Sequence, residues 1–154
     1  PKHDNHELLG KTKFAGCLGV MKDVKRNKYT QKANIVADCS TDGKEVYKLK
    51  STANTANWWY DHRISLIDAK TFADYRTEYF KGGKHIKTID RSWASANLDD
   101  PRASYWGYWY GKTNTTGHET MAFIPSTITK VNHKYKAKNL WSTRTLKKMP
   151  KKIK

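Results

Sequence analysis

The chain is 154 residues long, carries a formal net charge of +16, and is 37% hydrophobic and 12% aromatic. That length suits one domain, with enough apolar side chains for a core independent of metals or many disulfides. No apolar run approaches the ~18 residues of a membrane span; no secretory signal is present, and the abrupt opening at Pro1 leaves a cleaved leader open.

Residues 1–10, PKHDNHELLG, read as a frayed terminus running into the first ordered segment. KFAGCLGVMKDV then predicts a strand, with Gly16 and Gly19 permitting a bulge or a close backbone approach. Asn34 to Cys39 and Glu45 to Lys50 are short β-like runs, and Asp42-Gly43 between them predicts a hairpin turn. After the polar loop STANTAN, WWYDHRISLID predicts another strand. From Asp68 the period changes. Phe72, Tyr75, Tyr79 and Phe80 fall at i, i+3, i+7 and i+8, one face of a helix that Asp68 would cap and Gly82-Gly83 would end.

His85 to Ile89 and Ser92 to Ala96 follow as two strands, and Asp99-Asp100-Pro101 as a turn. Tyr105 to Tyr110 then places five aromatic rings in six residues, before the loop KTNTTG and the run HETMAFI complete a hairpin. Strict alternation puts Trp106, Tyr108 and Tyr110 on one face of that strand, and Tyr105, Gly107 and Trp109 on the other. Trp109, with Gly107 beside it, is the expected core ring; Trp106, Tyr108 and Tyr110 are the expected platform for stacking on sugars or bases. The whole predicts an α+β fold, β-dominated: a twisted antiparallel sheet or small open barrel with one packed helix. Residues 1–146 form the domain and residues 147–154 a basic tail or linker.

Lysine outnumbers arginine by 24 to 6. Lysine is a hydrated point charge, whereas arginine suits planar, bidentate recognition, so this surface favours diffuse attraction to a polyanion over sequence reading. The charge is concentrated late: residues 125–154 hold ten basic residues and no acidic one. Alternation places Lys134, Lys136 and Lys138 on one strand face, and with Arg144, Lys147 and Lys148 they complete the candidate ligand-binding set. Cys17 and Cys39 are too few for a metal cage. They form either one bridge between neighbouring strands, expected in an oxidising compartment, or two buried thiols.

The chemistry of catalysis is thinly represented. None of the six histidines sits in a His-x-x-x-His or comparable ligand pattern, so no metal or cofactor is expected. Pro1-Lys2-His3 has the spacing of a Cu(II) or Ni(II) chelate if Pro1 is a free terminus. Asp61-His62-Arg63 offers an acid–base pair with a phosphate-binding arginine, but strand neighbours point to opposite faces. Asp99 and Asp100 offer paired carboxylates for glycan hydrolysis, and Cys17 between glycines offers a nucleophile turn without a histidine partner. Each has a simpler structural reading, and no catalytic residue is assigned.

GYWYGKTNTTGHETMAFIPSTIT resembles the Gly-x-Trp-Tyr strand, polar turn and following strand of small secreted cell-surface proteins of lactic acid bacteria, and KKMPKKIK resembles the basic segment often beside it. EVYKLKS and WWYDHRISLIDAKTF are similar to bacterial SH3-like wall-binding modules. The resemblance implies a secreted, wall-associated, non-catalytic domain. The expectation is therefore a monomeric binding module for an anionic cell-wall polymer or glycan, with nucleic acid as a non-specific partner. The rival readings are a small basic secreted enzyme, nuclease or wall hydrolase, and a nucleic-acid-binding protein.

Overall fold

A computed structural model describes residues 4–26, 31–100 and 102–124, and every regular element within them is a strand. Seven form one antiparallel sheet: β1 (Asp4–Lys13), β4 (Glu45–Ala53), β5 (His62–Asp68), β6 (Asp74–Lys81), β7 (Lys84–Ser95), β8 (Ser104–Thr113) and β9 (Glu119–Phe123), in that spatial order. β2 (Leu18–Arg26) and β3 (Gln31–Asp38) pair with each other as a separate ribbon. The fold is all-β in the described residues.

The expected helix is therefore absent, and residues 68–80 show why its signal misled. Positions 75 and 79 satisfy a period of two as well as a period of 3.6. β6 buries Tyr75, Thr77 and Tyr79 in alternation, and its threonine and aromatic residues suit a pleated surface. Asp68 does accept the amides of Lys70 and Thr71 at 2.9 and 2.7 Å, as a helix cap would. The chain then reverses, however, with Phe72 at φ +60° and its amide bonded to the Asp68 carbonyl. Gly82 and Gly83, both at positive φ, form the two-residue turn of the β6–β7 hairpin, a geometry that glycine takes without a Cβ penalty.

Other boundaries move as well. The segment read as a frayed terminus supplies β1, which pairs along its length with β4. The strand read across residues 13–24 is broken: Phe14 is buried, the chain turns at Gly16, and β2 starts at Leu18. The Asp42-Gly43 turn is present, with Gly43 at φ +76°, but it joins the ribbon to the sheet rather than two paired strands. Trp58 to Asp61 lie outside β5, and the two short strands after Lys84 are one, β7.

Two clusters form the core. Phe14, Leu18, Val46, Ala73 and Tyr75 make the first, against which Val20 of the ribbon packs. Tyr60, Tyr79 and Ile89 make the second, with Trp109 against it. Burying a side chain such as Phe14 or Leu18 stabilises by roughly 1.5–3 kcal/mol. The ribbon lies over β7 and β8 and is seated by polar groups. Arg76 donates to both oxygens of Asp90 at 2.7 and 3.0 Å and to the Cys17 carbonyl at 2.7 Å. Asp90 also accepts the Gly19 amide at 2.8 Å. A Cβ at Gly19 would stand 2.7 Å from the Tyr110 ring, so the ribbon can approach this closely only with glycine there. Cys17 and Cys39 are joined by a disulfide across the ribbon's base.

Asp90→Ala should lower stability by about 3–5 kcal/mol, because it leaves Arg76 buried without its counter-charge. Urea unfolding measures the change. A loss under about 1 kcal/mol would mean that apolar contacts alone seat the ribbon.

Candidate functional site

The aromatic strand β8 does not present its rings as expected. Its pairing with β7 steps between Ser92 and Trp93, whose partners are Tyr108 and Trp106, leaving Gly107 unpaired. This bulge interrupts the alternation that would have put Trp106, Tyr108 and Tyr110 together. Trp106 is 37% exposed. Tyr108 is buried, which corrects its assignment to an accessible platform, and burial together with the charges of Asp90 and Glu119 pushes its phenol up to about 12. Tyr110 is half-buried with its ring against Gly19, and its hydroxyl donates to Glu119 at 2.8 Å. Trp109 is half-buried on the second cluster. Lys134, Lys136, Lys138, Arg144, Lys147 and Lys148 lie outside the described residues.

A better-formed aromatic surface lies where the sequence had suggested part of a strand. The loop before β5 exposes Trp58 (41%) and Trp59 (45%) side by side. The Trp59 ring centroid is 4.7 Å from those of both Tyr60 and Tyr79, so its underside rests on the second cluster. Tyr60 is held in turn: its hydroxyl donates to both Asp4 oxygens at 3.0 Å, and Arg63 donates to the same carboxylate. Burial, then the Asp4 hydrogen bond, raises the Tyr60 phenol, which keeps it a donor. Lys87 places its ammonium 5.8 Å from the Trp59 ring centroid, and Lys81 donates to the Trp58 carbonyl. The result is a pair of exposed indoles, with the Lys87 ammonium over the Trp59 ring and the Lys81 ammonium bonded to the Trp58 backbone. Two adjacent tryptophans after a polar loop were the available sequence signal.

A second aromatic pair joins exposed Phe72 of the β5–β6 turn to half-buried Tyr47 of β4. Phe72, 59% exposed, lies parallel to Tyr47 with centroids 6.4 Å apart, and Lys11 stands 5.2 Å from the Tyr47 centroid. Asp68 fixes this turn. Burial alone would raise its carboxyl, but hydrogen bonds from Thr71, Tyr75 and Lys70 outweigh burial and hold it below the ordinary 3.8.

The residues considered for catalysis are occupied elsewhere and diverge. Asp61 accepts the Gly82 amide in the β6–β7 turn, His62 stacks on Phe80, and Arg63 reaches Asp4. Asp100 is held at about 2 by the Arg102 guanidinium and amide. Cys17 is in the disulfide. Among the described residues no three His, Cys, Asp or Glu side chains gather as a metal site would require.

No family model and no curated protein matches the chain. Among solved structures it is similar to one described as "Crystal structure of putative outer membrane lipoprotein-sorting protein domain from Vibrio parahaemolyticus", at 14% identity and a TM-score of 0.55. The match covers 95% of this chain and 49% of that one, so this chain spans about half of its neighbour's length. At that identity the likeness is one of fold.

Because the Asp68 carboxyl is lower in the folded state than the unfolded, its stabilisation is complete above the unfolded value and is lost as pH falls through the folded one. Asp68→Asn should cost about 1–3 kcal/mol at neutral pH and flatten the loss of stability below about pH 4. Unfolding curves from pH 2 to 7 test this; parallel curves for the two proteins would remove Asp68 from the account.

Proposed function

We propose that this chain is a secreted, non-catalytic binding module of the bacterial cell envelope that attaches to an anionic, glycan-bearing polymer. The observation that carries the reading is the exposed Trp58–Trp59 face, backed by Tyr60 and Tyr79, with Lys81 and Lys87 beside it. Indole faces suit sugar rings, and ammonium groups beside them suit the phosphates or carboxylates of the same polymer. Trp106, exposed on β8, and the Tyr47–Phe72 pair offer further contacts.

Three things support an envelope setting. A disulfide belongs to an oxidising compartment. The structural neighbour is described as a domain of a lipoprotein-sorting protein. The C-terminal third resembles secreted surface proteins of lactic acid bacteria. Long-range attraction would come chiefly from residues 125–154, whose ten cations are uninterrupted by any acid.

Adsorption to purified bacterial walls, before and after their anionic polymers are extracted, tests the reading. Trp59→Ala should weaken adsorption about five- to tenfold with the fold intact. Undiminished adsorption of a folded Trp58→Ala/Trp59→Ala protein, or tighter binding to single-stranded DNA at equal salt, would overturn it.

Deleting residues 147–154 removes five lysines. It should flatten the dependence of adsorption on salt without shifting the Tm. Equal low-salt affinity of the shortened and intact proteins would make that segment a linker.

A further inference from the structure

The exposed indoles of Trp58 and Trp59 depend on side chains that lie beneath them. Trp58 to Asp61 precede β5, whose ladder begins at His62, so strand pairing does not set the planes of these rings. Both indoles pack on one ring instead. Trp58 meets Tyr60 with centroids 6.4 Å apart and planes at 80°, and Trp59 meets it at 4.7 Å and 85°. These are edge-to-face contacts, which constrain the angle between rings as well as their separation. Tyr79 adds a second support under Trp59, tilted at 33°.

Tyr60 is set in turn by Asp4. Its hydroxyl donates to both carboxylate oxygens at 3.0 Å, and that side chain is 5% exposed at the start of β1, opposite Ala53 of β4. Arg63 donates to the same carboxylate at 3.0 Å and stands 6.0 Å from the Tyr60 ring centroid, so the acceptor is fixed by a cation as well as by its strand. The path of the loop is secured separately. The Ala53 amide donates to the Asp61 carbonyl at 2.9 Å, and the Asp61 amide donates to the Phe80 carbonyl at 2.8 Å. Phenylalanine at position 60 would fill the same space in the second cluster. The hydroxyl adds direction, because a hydrogen bond to a buried acceptor is directional and ring packing alone is less so.

We propose that Asp4 is a positioning residue of the indole surface: through the Tyr60 hydroxyl it sets the planes on which a sugar ring stacks. Asp4 itself touches no ligand. This role rests on the reading of Trp58 and Trp59 as a glycan-binding face, and it extends the machinery of that face to a carboxylate on the edge strand β1. A ring already held in its bound orientation loses less rotamer freedom when a ligand docks. Releasing Tyr60 should therefore weaken binding although no contact to the ligand is removed.

Two variants of the intact chain test this: Asp4→Ala, and Tyr60→Phe, which keeps the ring and removes only the bond. The heteronuclear NOE of each indole N–H reports order on the picosecond-to-nanosecond scale. It should fall at Trp58 and Trp59 in both variants and hold at Trp106. Adsorption to purified bacterial walls, measured well below each Tm, should weaken about three- to fivefold in Tyr60→Phe. Asp4→Ala/Tyr60→Phe should bind no more weakly than Asp4→Ala, because the two residues act through one bond. In a Trp58→Ala/Trp59→Ala background, Asp4→Ala should still lower the Tm but leave the residual adsorption unchanged, whereas a merely structural aspartate would weaken it by the same factor as before. Unchanged indole order in Tyr60→Phe, or an equal loss of adsorption with and without the indoles, would overturn the proposal. Loosened indoles in a protein whose adsorption is indifferent to Trp58 and Trp59 uphold the positioning and reject the binding reading. Indoles that stay ordered in both variants and are still required for adsorption reject the positioning alone.

Discussion

The Arg76–Asp90 pair is the constraint on which the arrangement of this chain turns. Both side chains are largely removed from water, at 18% and 6% exposure, so neither charge is tolerable without the other. The pair also bonds the ribbon backbone, at the Cys17 carbonyl and the Gly19 amide. A β2–β3 hairpin alone would be marginal in water. Here it is tied at its base by the disulfide and set on the sheet by a pair that neither strand of the ribbon supplies. Gly19 completes the fit, because a larger residue would lift the ribbon from Tyr110.

Seating the ribbon determines what each face of the sheet can do. Tyr108 and Tyr110 lie on the Asp90 side of β8, where Gly19 of the ribbon meets the Tyr110 ring; Tyr108 is buried and Tyr110 half-buried. Trp109, on the other side, joins Tyr60, Tyr79 and Ile89, and this second cluster is the bed on which Trp59 lies. The ribbon's base, through Leu18, Asp38 and Ser40, also borders a cleft shared with Thr71, Arg91 and Trp93.

The sequence made the β-rich character, the β8–β9 hairpin and the exposure of Trp106 legible, because alternation and turn residues are local signals. It left Cys17 and Cys39 as either a bridge between neighbouring strands or two buried thiols; the bridge is formed, by residues just before β2 and just after β3, and the sheet topology that separates their hairpin from the rest was not legible. What was missed depends on events that periodicity does not encode. A bulge at Gly107 broke the alternation in β8. Another, opposite Leu66 and Ile67, left Tyr75 out of register, so Tyr75 and Tyr79 entered different clusters. Their four-residue spacing fitted helix and strand equally, and the capping pattern at Asp68 served a tight reversal instead of a helix. The Trp58–Trp59 surface was hidden because adjacent aromatics before a β-like run resemble the start of a strand. Arg76 and Asp90 are fourteen positions apart, and only the β6–β7 register brings them opposite each other.

Several residues depart from what local stability alone would select, Phe72 and Thr41 among them. Phe72 holds a bulky aromatic at φ +60°, a conformation that costs on the order of 1–3 kcal/mol, and yet leaves its ring 59% exposed. Thr41 buries a hydroxyl with no partner among the described residues. Glycine at the first position and valine at the second would relieve the local cost. Both lie in turns that border the same edge of the first core cluster, Phe72 beside Ala73 and Thr41 beside the disulfide. The charge is distributed differently. Residues 1–124 carry +6 of the net +16, and the later residues carry the rest. Attraction that acts over a Debye length needs number of charges and little geometry, whereas recognition of a sugar needs fixed rings. Ten of the sixteen net charges fall in residues 125–154, whereas the exposed indoles Trp58, Trp59 and Trp106 and the strained turn at Phe72 belong to residues 4–124.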